Sequence, residues 1–206
     1  MPSNRLKNIQ SCPWVPKGDA LYELYHDTEW GVPVYNDRIL FEFLVLESAQ
    51  AGLSWRIILA KRSGYRKAFA NFNPIRIARF TQRDIQRLLK NPGIIRNRQK
   101  INAAIVNARQ FIKIQKEFGS FSRYMWEFVD NAPIQHRLRK LSDYPKTIPQ
   151  AEIWAKDLKN RGFSFLGPIV CYAHMQAIGM VNDHTLTCPR YHLIARLGKR
   201  ASHIKK

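Results

Sequence analysis

Leu88-Leu89-Lys90-Asn91-Pro92-Gly93-Ile94-Ile95-Arg96-Asn97-Arg98 joins two amphipathic patterns through one sharp break. Upstream, Thr81-Gln82-Arg83-Asp84 reads as a helix-capping signal ahead of Ile85, Leu88 and Leu89. Downstream, Ile101, Ala104, Ile105, Ala108 and Ile112 recur at helical spacing and predict one face of a long helix. Asn91-Pro92-Gly93 interrupts both, so the stretch predicts a pair of helices closed by a tight turn. Glycine permits backbone dihedrals that aim successive N–H groups outward, and the second helix adds its N-terminal dipole. Arg96, Arg98 and Lys100 crowd that terminus, where cations are unfavourable unless an anion is present. The hairpin is therefore expected to clamp a DNA backbone through Gly93, Ile94, Arg96 and Arg98. An ordinary αα-hairpin with a C-cap glycine is the competing reading.

The same helical spacing runs through most of the chain, and long alternating strand-like runs are absent. Asn36 or Asp37 is placed to cap a helix carrying Leu40, Phe41, Leu44 and Val45. A second follows Trp55 through Ile58 to Phe69, and others are expected over residues 121–129, 151–158 and 168–179. Residues 131–149 hold three prolines and read as an irregular connection. The expectation is one all-α domain, a helical bundle: a short polar extension over 1–11, the domain over 12–188 and a basic tail over 189–206.

Lys plus Arg outnumber Asp plus Glu by 34 to 15, a formal net charge of +19. Such an excess draws polyanions and is the electrostatic signature of a nucleic-acid binder. No apolar run reaches the roughly 20 residues that span a bilayer. Three cysteines do not make a disulfide framework, and no signal peptide is evident, so a cytoplasmic protein with no membrane partner is expected.

Against this charge, Leu46-Glu47-Ser48-Ala49-Gln50-Ala51-Gly52-Leu53-Ser54-Trp55 sets one carboxylate in an apolar stretch, ahead of a small-residue turn and an indole. A buried acid must be partnered, neutralised or used. Taken alone, a glutamate after a helical apolar run is more often structural, and Trp55, Trp30 and Tyr22 more often belong to a core.

Cys12 and His26 lie near one end, His184 and Cys188 near the other. Two thiolates and two imidazoles suit a closed tetrahedral zinc site that leaves no position for chemistry. Cys171 and His174 offer a rival pair on one apolar helix, although free cysteine in such surroundings is usually a small core residue.

Four motifs occur in order: Tyr25-His26-Asp27-x-Glu29-Trp30-Gly31-Val32-Pro33, Leu46-Glu47-x-x-Gln50-Ala51-Gly52-Leu53-Ser54-Trp55, Gly93-Ile94-Ile95-Arg96-x-Arg98-x-Lys100-Ile101 and Val181-Asn182-Asp183-His184. Together they resemble the type I DNA-3-methyladenine glycosylases, a branch of the helix-hairpin-helix glycosylases, from about Cys12 to Cys188. The resemblance implies excision of N3-methyladenine from alkylated double-stranded DNA by base flipping, leaving an abasic site without strand cleavage. It implies Glu47 as the catalytic residue, and Tyr25, Trp55, Trp14, Tyr22 and Trp30 around the extruded base. Gly52 and Leu53 are implied at the gap left in the duplex, and one structural Zn²⁺ on Cys12, His26, His184 and Cys188, joining the two ends. A monomer bound to the bacterial nucleoid is expected.

Three residues depart from the pattern: Ser48 stands in place of glycine, Ile169 of threonine and His174 of an aromatic residue. Ser48 is expected to narrow the pocket or add a hydrogen bond. Glu117 sits at the offset where many helix-hairpin-helix enzymes carry an aspartate, but in a polar stretch. The reading from a different class is a zinc-stapled module that binds damaged DNA without excision.

Overall fold

A computed structural model describes residues 11–203. Ten α-helices are described: α1 (Ala20–Thr28), α2 (Asp37–Gln50), α3 (Trp55–Ala68), α4 (Pro74–Ile77), α5 (Gln82–Leu89), α6 (Arg98–Phe118), α7 (Phe121–Trp126), α8 (Pro149–Asn160), α9 (Pro168–Ala177) and α10 (Arg190–His203). Their ends follow local chemistry. The Asn36 carboxamide accepts from the N–H groups of Arg38 and Ile39 and starts α2. Thr81 and Asp84 form the expected capping box of α5. Asn97 caps α6, which stops at Gly119 in the left-handed region, φ +82°.

Helix α2 is the axis of the bundle. Every residue from Leu40 to Ala49 is buried, and α3, α6, α7 and α9 pack around it. Asp37 at its start accepts from the backbone N–H groups of Phe121 and Ser122 and from Gln115, which pins α7 to the head of α2. A helix enclosed on all sides must be apolar all round, so its acids need an account.

Two expectations are corrected. The connection over 131–149 is not wholly irregular: β1 (Ile134–Gln135) pairs in parallel with β2 (Val181–Asn182). A two-residue bridge is too short for alternation to show in sequence. The segment over 189–206 is not simply a tail, because α10 occupies most of it and Ile194 is fully buried. Its basic residues are interrupted by one apolar face that docks beside β2. The N-terminal extension falls outside the described residues except for Ser11, as do residues 204–206.

Candidate active site

Glu47 lies in the last turn of α2, 4 % exposed, and no hydrogen bond or ion pair to it is found among the described residues. Burial alone pushes its carboxyl up from the usual carboxylate range to about 8. Glu42, one turn earlier, shows the ordinary solution: it accepts from Arg62 at 2.6 Å and from Arg66 at 2.8 Å. Arg62 also bonds Glu29 at 2.7 Å, tying α1, α2 and α3 together.

What Glu47 faces is a cavity of ≈ 320 Å³. Tyr22 and Tyr25 on α1, Trp55 at the head of α3, and Trp14 and Trp30 from the flanking loops line it together with Glu47. Tyr25 and Trp55 pack with ring centroids 5.4 Å apart, and Trp14 meets Trp30 edge-on at 4.6 Å. Desolvation, and next the Glu47 charge, push the Tyr25 hydroxyl up, so it stays a neutral donor. The indole N–H groups of Trp14 and Trp55 are buried without partners. Unpaired polar groups in an aromatic cleft lose solvation unless a ligand restores it.

Between Glu47 and Trp55 the chain makes a turn in which the Leu53 N–H donates to the Gln50 carbonyl at 2.7 Å. Ala51 at φ −43°, ψ 116° and Gly52 at φ +78° fit a type II turn, which requires glycine at its third position. Residues 51–54 are exposed and lie in sequence between Gln50 and Trp55, which both line the cavity. The Lys100 ammonium donates to the carbonyls of Ala49 and Ala51, at 2.8 and 2.6 Å, and braces this turn from α6.

That contact corrects the expectation that Lys100 seeks phosphate. The hairpin's backbone is also committed: the Gly93 N–H donates to Asn91 Oδ1, that of Ile94 to the Asn91 carbonyl and that of Ile95 to the Tyr65 hydroxyl. Gly93 does not adopt a positive φ. A Cβ there would sit 3.0 Å from Asn91 Oδ1 and 3.4 Å from the Gly64 Cα, whereas a Cβ on Gly64 would fall 2.2 Å from the Gly93 carbonyl oxygen, so the close approach of hairpin and α3 demands glycine at Gly64. Arg96 and Arg98 remain exposed at the start of α6.

The chain ends meet as expected. Ligand atoms of Cys12, His26 and Cys188 all lie within 4.8 Å of one another, and all three residues are buried. The fourth expected ligand, His184, lies just outside that set, its ring centroid 5.1 Å from that of His26. Both imidazoles are held through Nδ1, His26 by Asp27 at 2.7 Å and His184 by Asn182 at 3.1 Å. Each Nε2 is left for the centre: that of His26 is 3.6 Å from the Cys188 sulfur, and that of His184 is buried with no partner. Second-sphere oxygens that orient imidazoles this way are a mark of metal sites. A hydrogen bond from Cys188 holds the Cys12 thiol well below the usual thiol range. The donor set and the orphaned nitrogen fit Zn²⁺. The rival pair fails: Cys171 donates to the Leu166 carbonyl, and His174 packs against Trp154.

A model of the methyladenine glycosylase family matches residues 14–191. The chain belongs to that family. It is 42 % identical to DNA-3-methyladenine glycosylase 1 of Escherichia coli over 183 residues, 89 % of this chain and 97 % of that one. A crystal structure of 3-methyladenine DNA glycosylase I superposes with a TM-score of 0.85 at 48 % identity, covering 87 % of this chain and 98 % of the other. A Staphylococcus aureus structure concerned with 3-methyladenine recognition gives 0.86 at 38 % identity, covering 89 % and 97 %.

Within this family member the departures from pattern fall in different places. Ser48 is buried and does not line the cavity, which corrects the expectation that it narrows the pocket. Ile169 lies at the cavity mouth, 66 % exposed. His174 is buried on α9 and does not line the cavity, both ring nitrogens have no partner among the described residues, and burial pulls it down to about 3. Glu117 is exposed and paired with Arg161. Sequence reasoning missed Tyr144, Lys146, Tyr172 and Gln176, all of which line the cavity. The four-residue spacing of Tyr172 and Gln176 on one predicted helix was the available signal. Nothing local marks Tyr144 or Lys146, which a short 3₁₀ turn over Leu141–Asp143 delivers.

Proposed function

We propose that the chain is a monofunctional DNA-3-methyladenine N-glycosylase that flips N3-methyladenine out of alkylated duplex DNA and hydrolyses its glycosidic bond. The observation that carries this reading is Glu47, a buried carboxyl without a protein partner in an aromatic cavity. Methylation at N3 makes adenine in DNA a cation. Its leaving is easy: the N9–C1′ pair moves onto the base, neutralising it, and positive charge passes to the deoxyribose. Water then adds to C1′ and loses a proton to solvent.

Glu47 acts on both charges. Glu47 is protonated near neutral pH in the free protein, and the entering cationic base favours its ionised form, so that its proton passes to solvent. In a site from which water is excluded, the resulting carboxylate attracts the methylated base far more than it does neutral adenine. As the bond lengthens, the same carboxylate stabilises the developing oxocarbenium ion. Trp55 and Tyr25 supply faces for stacking and cation–π attraction, with Trp14, Tyr22 and Trp30 as the remaining aromatic wall. Leu53, carried by the Gly52 turn, fills the gap in the duplex. Arg96 and Arg98 hold phosphates beside the Gly93–Ile94 turn of a helix-hairpin-helix clamp.

Zn²⁺ on Cys12, His26, His184 and Cys188 is structural in this reading and supplies folding energy, with no part in the reaction. Because the residues named for both sites come from one chain, the reading takes the protein to work as a monomer. Its buried free cysteines suit a reducing cytoplasm.

The test is chromatography of the bases released from methylated DNA. Wild-type protein is expected to release 3-methyladenine and leave intact strands, and Glu47→Gln to lose about 10²–10³-fold in rate, as for removal of one stabilising group. A folded, zinc-loaded wild type that binds methylated DNA yet frees no base would establish a damage-binding module instead.

A further inference from the structure

Behind the cavity wall lies a second carboxylate that the reaction above does not use. Asp183 is fully buried, between β2 and His184. Its Oδ2 accepts from the Tyr172 hydroxyl and, at 2.7 Å, from the Gln176 amide. Its Oδ1 meets His136 Nδ1 at 2.6 Å, and this bond raises the His136 pKa. Tyr172 and Gln176 are one turn apart on α9, which packs beside α2, and both line the cavity that holds Glu47.

A carboxylate oxygen only accepts, so the group that Gln176 turns toward Asp183 must be its NH₂. Its Oε1 is then left without a protein partner at a cavity-lining residue. Likewise Tyr172 commits its proton to Asp183 and keeps only lone pairs. The acceptor left free on the α9 wall is thus Gln176 Oε1, the Tyr172 hydroxyl being turned back to Asp183, and Asp183 prevents Gln176 from flipping to present a donor.

We propose that Gln176, held by Asp183, is a specificity-determining residue that reads the substituent at C6 of the flipped purine. An exocyclic amine at C6 brings hydrogens to Oε1. A 6-oxo group brings lone pairs against lone pairs, with both partners buried and unsatisfied. A site built around one hydrogen-bond polarity rejects the opposite polarity more strongly than it rejects a mere change of shape. Asp183 is the positioning residue in this arrangement. The proposal rests on the glycosylase reading, and the test keeps their failures apart.

Methylated DNA carries 3-methyladenine and 3-methylguanine together, so one digest reports both. In Gln176→Met, 3-methyladenine release is expected to fall about 10–100-fold while 3-methylguanine release stays within about threefold of wild type. Thermal midpoint and zinc content report folding of the variant. Tyr172→Phe leaves the Gln176–Asp183 bond in place and is expected to keep the wild-type ratio within about threefold. A Gln176→Met protein that loses both activities in proportion, or neither, overturns the proposal, because a structural role moves both alike. Should the variant not fold, the wild-type protein still decides through binding of free 3-methyladenine and 3-methylhypoxanthine, which carry an amine and an oxo group at C6 and differ otherwise only by one imidazole proton. Equal affinity for the two overturns the proposal, and tighter binding of the 6-amino base supports it. A wild type that releases no 3-methyladenine at all defeats the glycosylase reading instead.

Discussion

Glu42 and Glu47 share α2, and both are nearly buried, yet Arg62 and Arg66 neutralise one while nothing neutralises the other. The pattern of α2 in sequence showed that an acid sat among apolar residues. It did not show which acid would find an arginine, because Arg62 and Arg66 arrive from α3 across a tertiary contact. For the same reason Gln176 passed unnoticed: its meaning depends on Asp183, which β2 brings beside α9. Glu47 carries a linkage consequence. Its folded-state pKa of about 8 lies above the ordinary 4.5, so between those values the folded protein holds a proton that the unfolded chain releases. Stability from this group is present below about pH 4.5 and is lost as pH rises through about 8. Glu47→Gln removes the term. Thermal midpoints of the two proteins are expected to diverge from pH 5 to pH 9, with the variant more stable at the alkaline end. Parallel midpoints across that range would contradict the buried, unpartnered state.

At the scale of elements, caps and periodicity were legible because they are local: of the two residues offered for the start of α2 Asn36 is the cap, and Thr81–Asp84 starts α5 where the sequence places it. The hairpin's existence was legible too, whereas its closest packing contact was not. The Gly93 carbonyl passes so close to α3 that the glycine the packing demands is Gly64, a fact that no turn signature carries. Lys100 is the clearest reversal. A lysine at a helix N-terminus reads as an anion seeker, but its stem reaches back to two carbonyls at the end of α2. Lys100→Met strips both donors from the turn that carries Leu53. The expected result is a stability loss of about 1–3 kcal/mol. Excision should slow by about tenfold, since misplacement of a positioning group is costly. Urea melts and single-turnover rates check this. Unchanged excision in a destabilised variant would show the brace to be structural only.

For the whole molecule, the net charge of +19 and the distant Cys–His pairs were both visible, and each acquires a place only in three dimensions. Cys12 and Cys188 close the chain into a loop, and Trp30 packs against His184 at 4.6 Å while lining the base cavity. A metal held by the proposed zinc ligands would therefore bear on the shape of the cavity through Trp30. Chelation is expected to lower the thermal midpoint of the wild type, and Cys188→Ser to reproduce the loss so that a chelator then adds nothing. A stable wild type that carries no zinc and ignores the chelator would remove the metal from the account. On the proposed reading, a strongly cationic protein keeps one buried carboxyl, without a partner among the described residues, for a cationic base. Carbon-13 NMR titration of the Glu47 carboxyl, identified by its absence in Glu47→Gln, tests this most directly. The account predicts a midpoint near 8 in the free protein, and a midpoint near the ordinary 4.5 would contradict it.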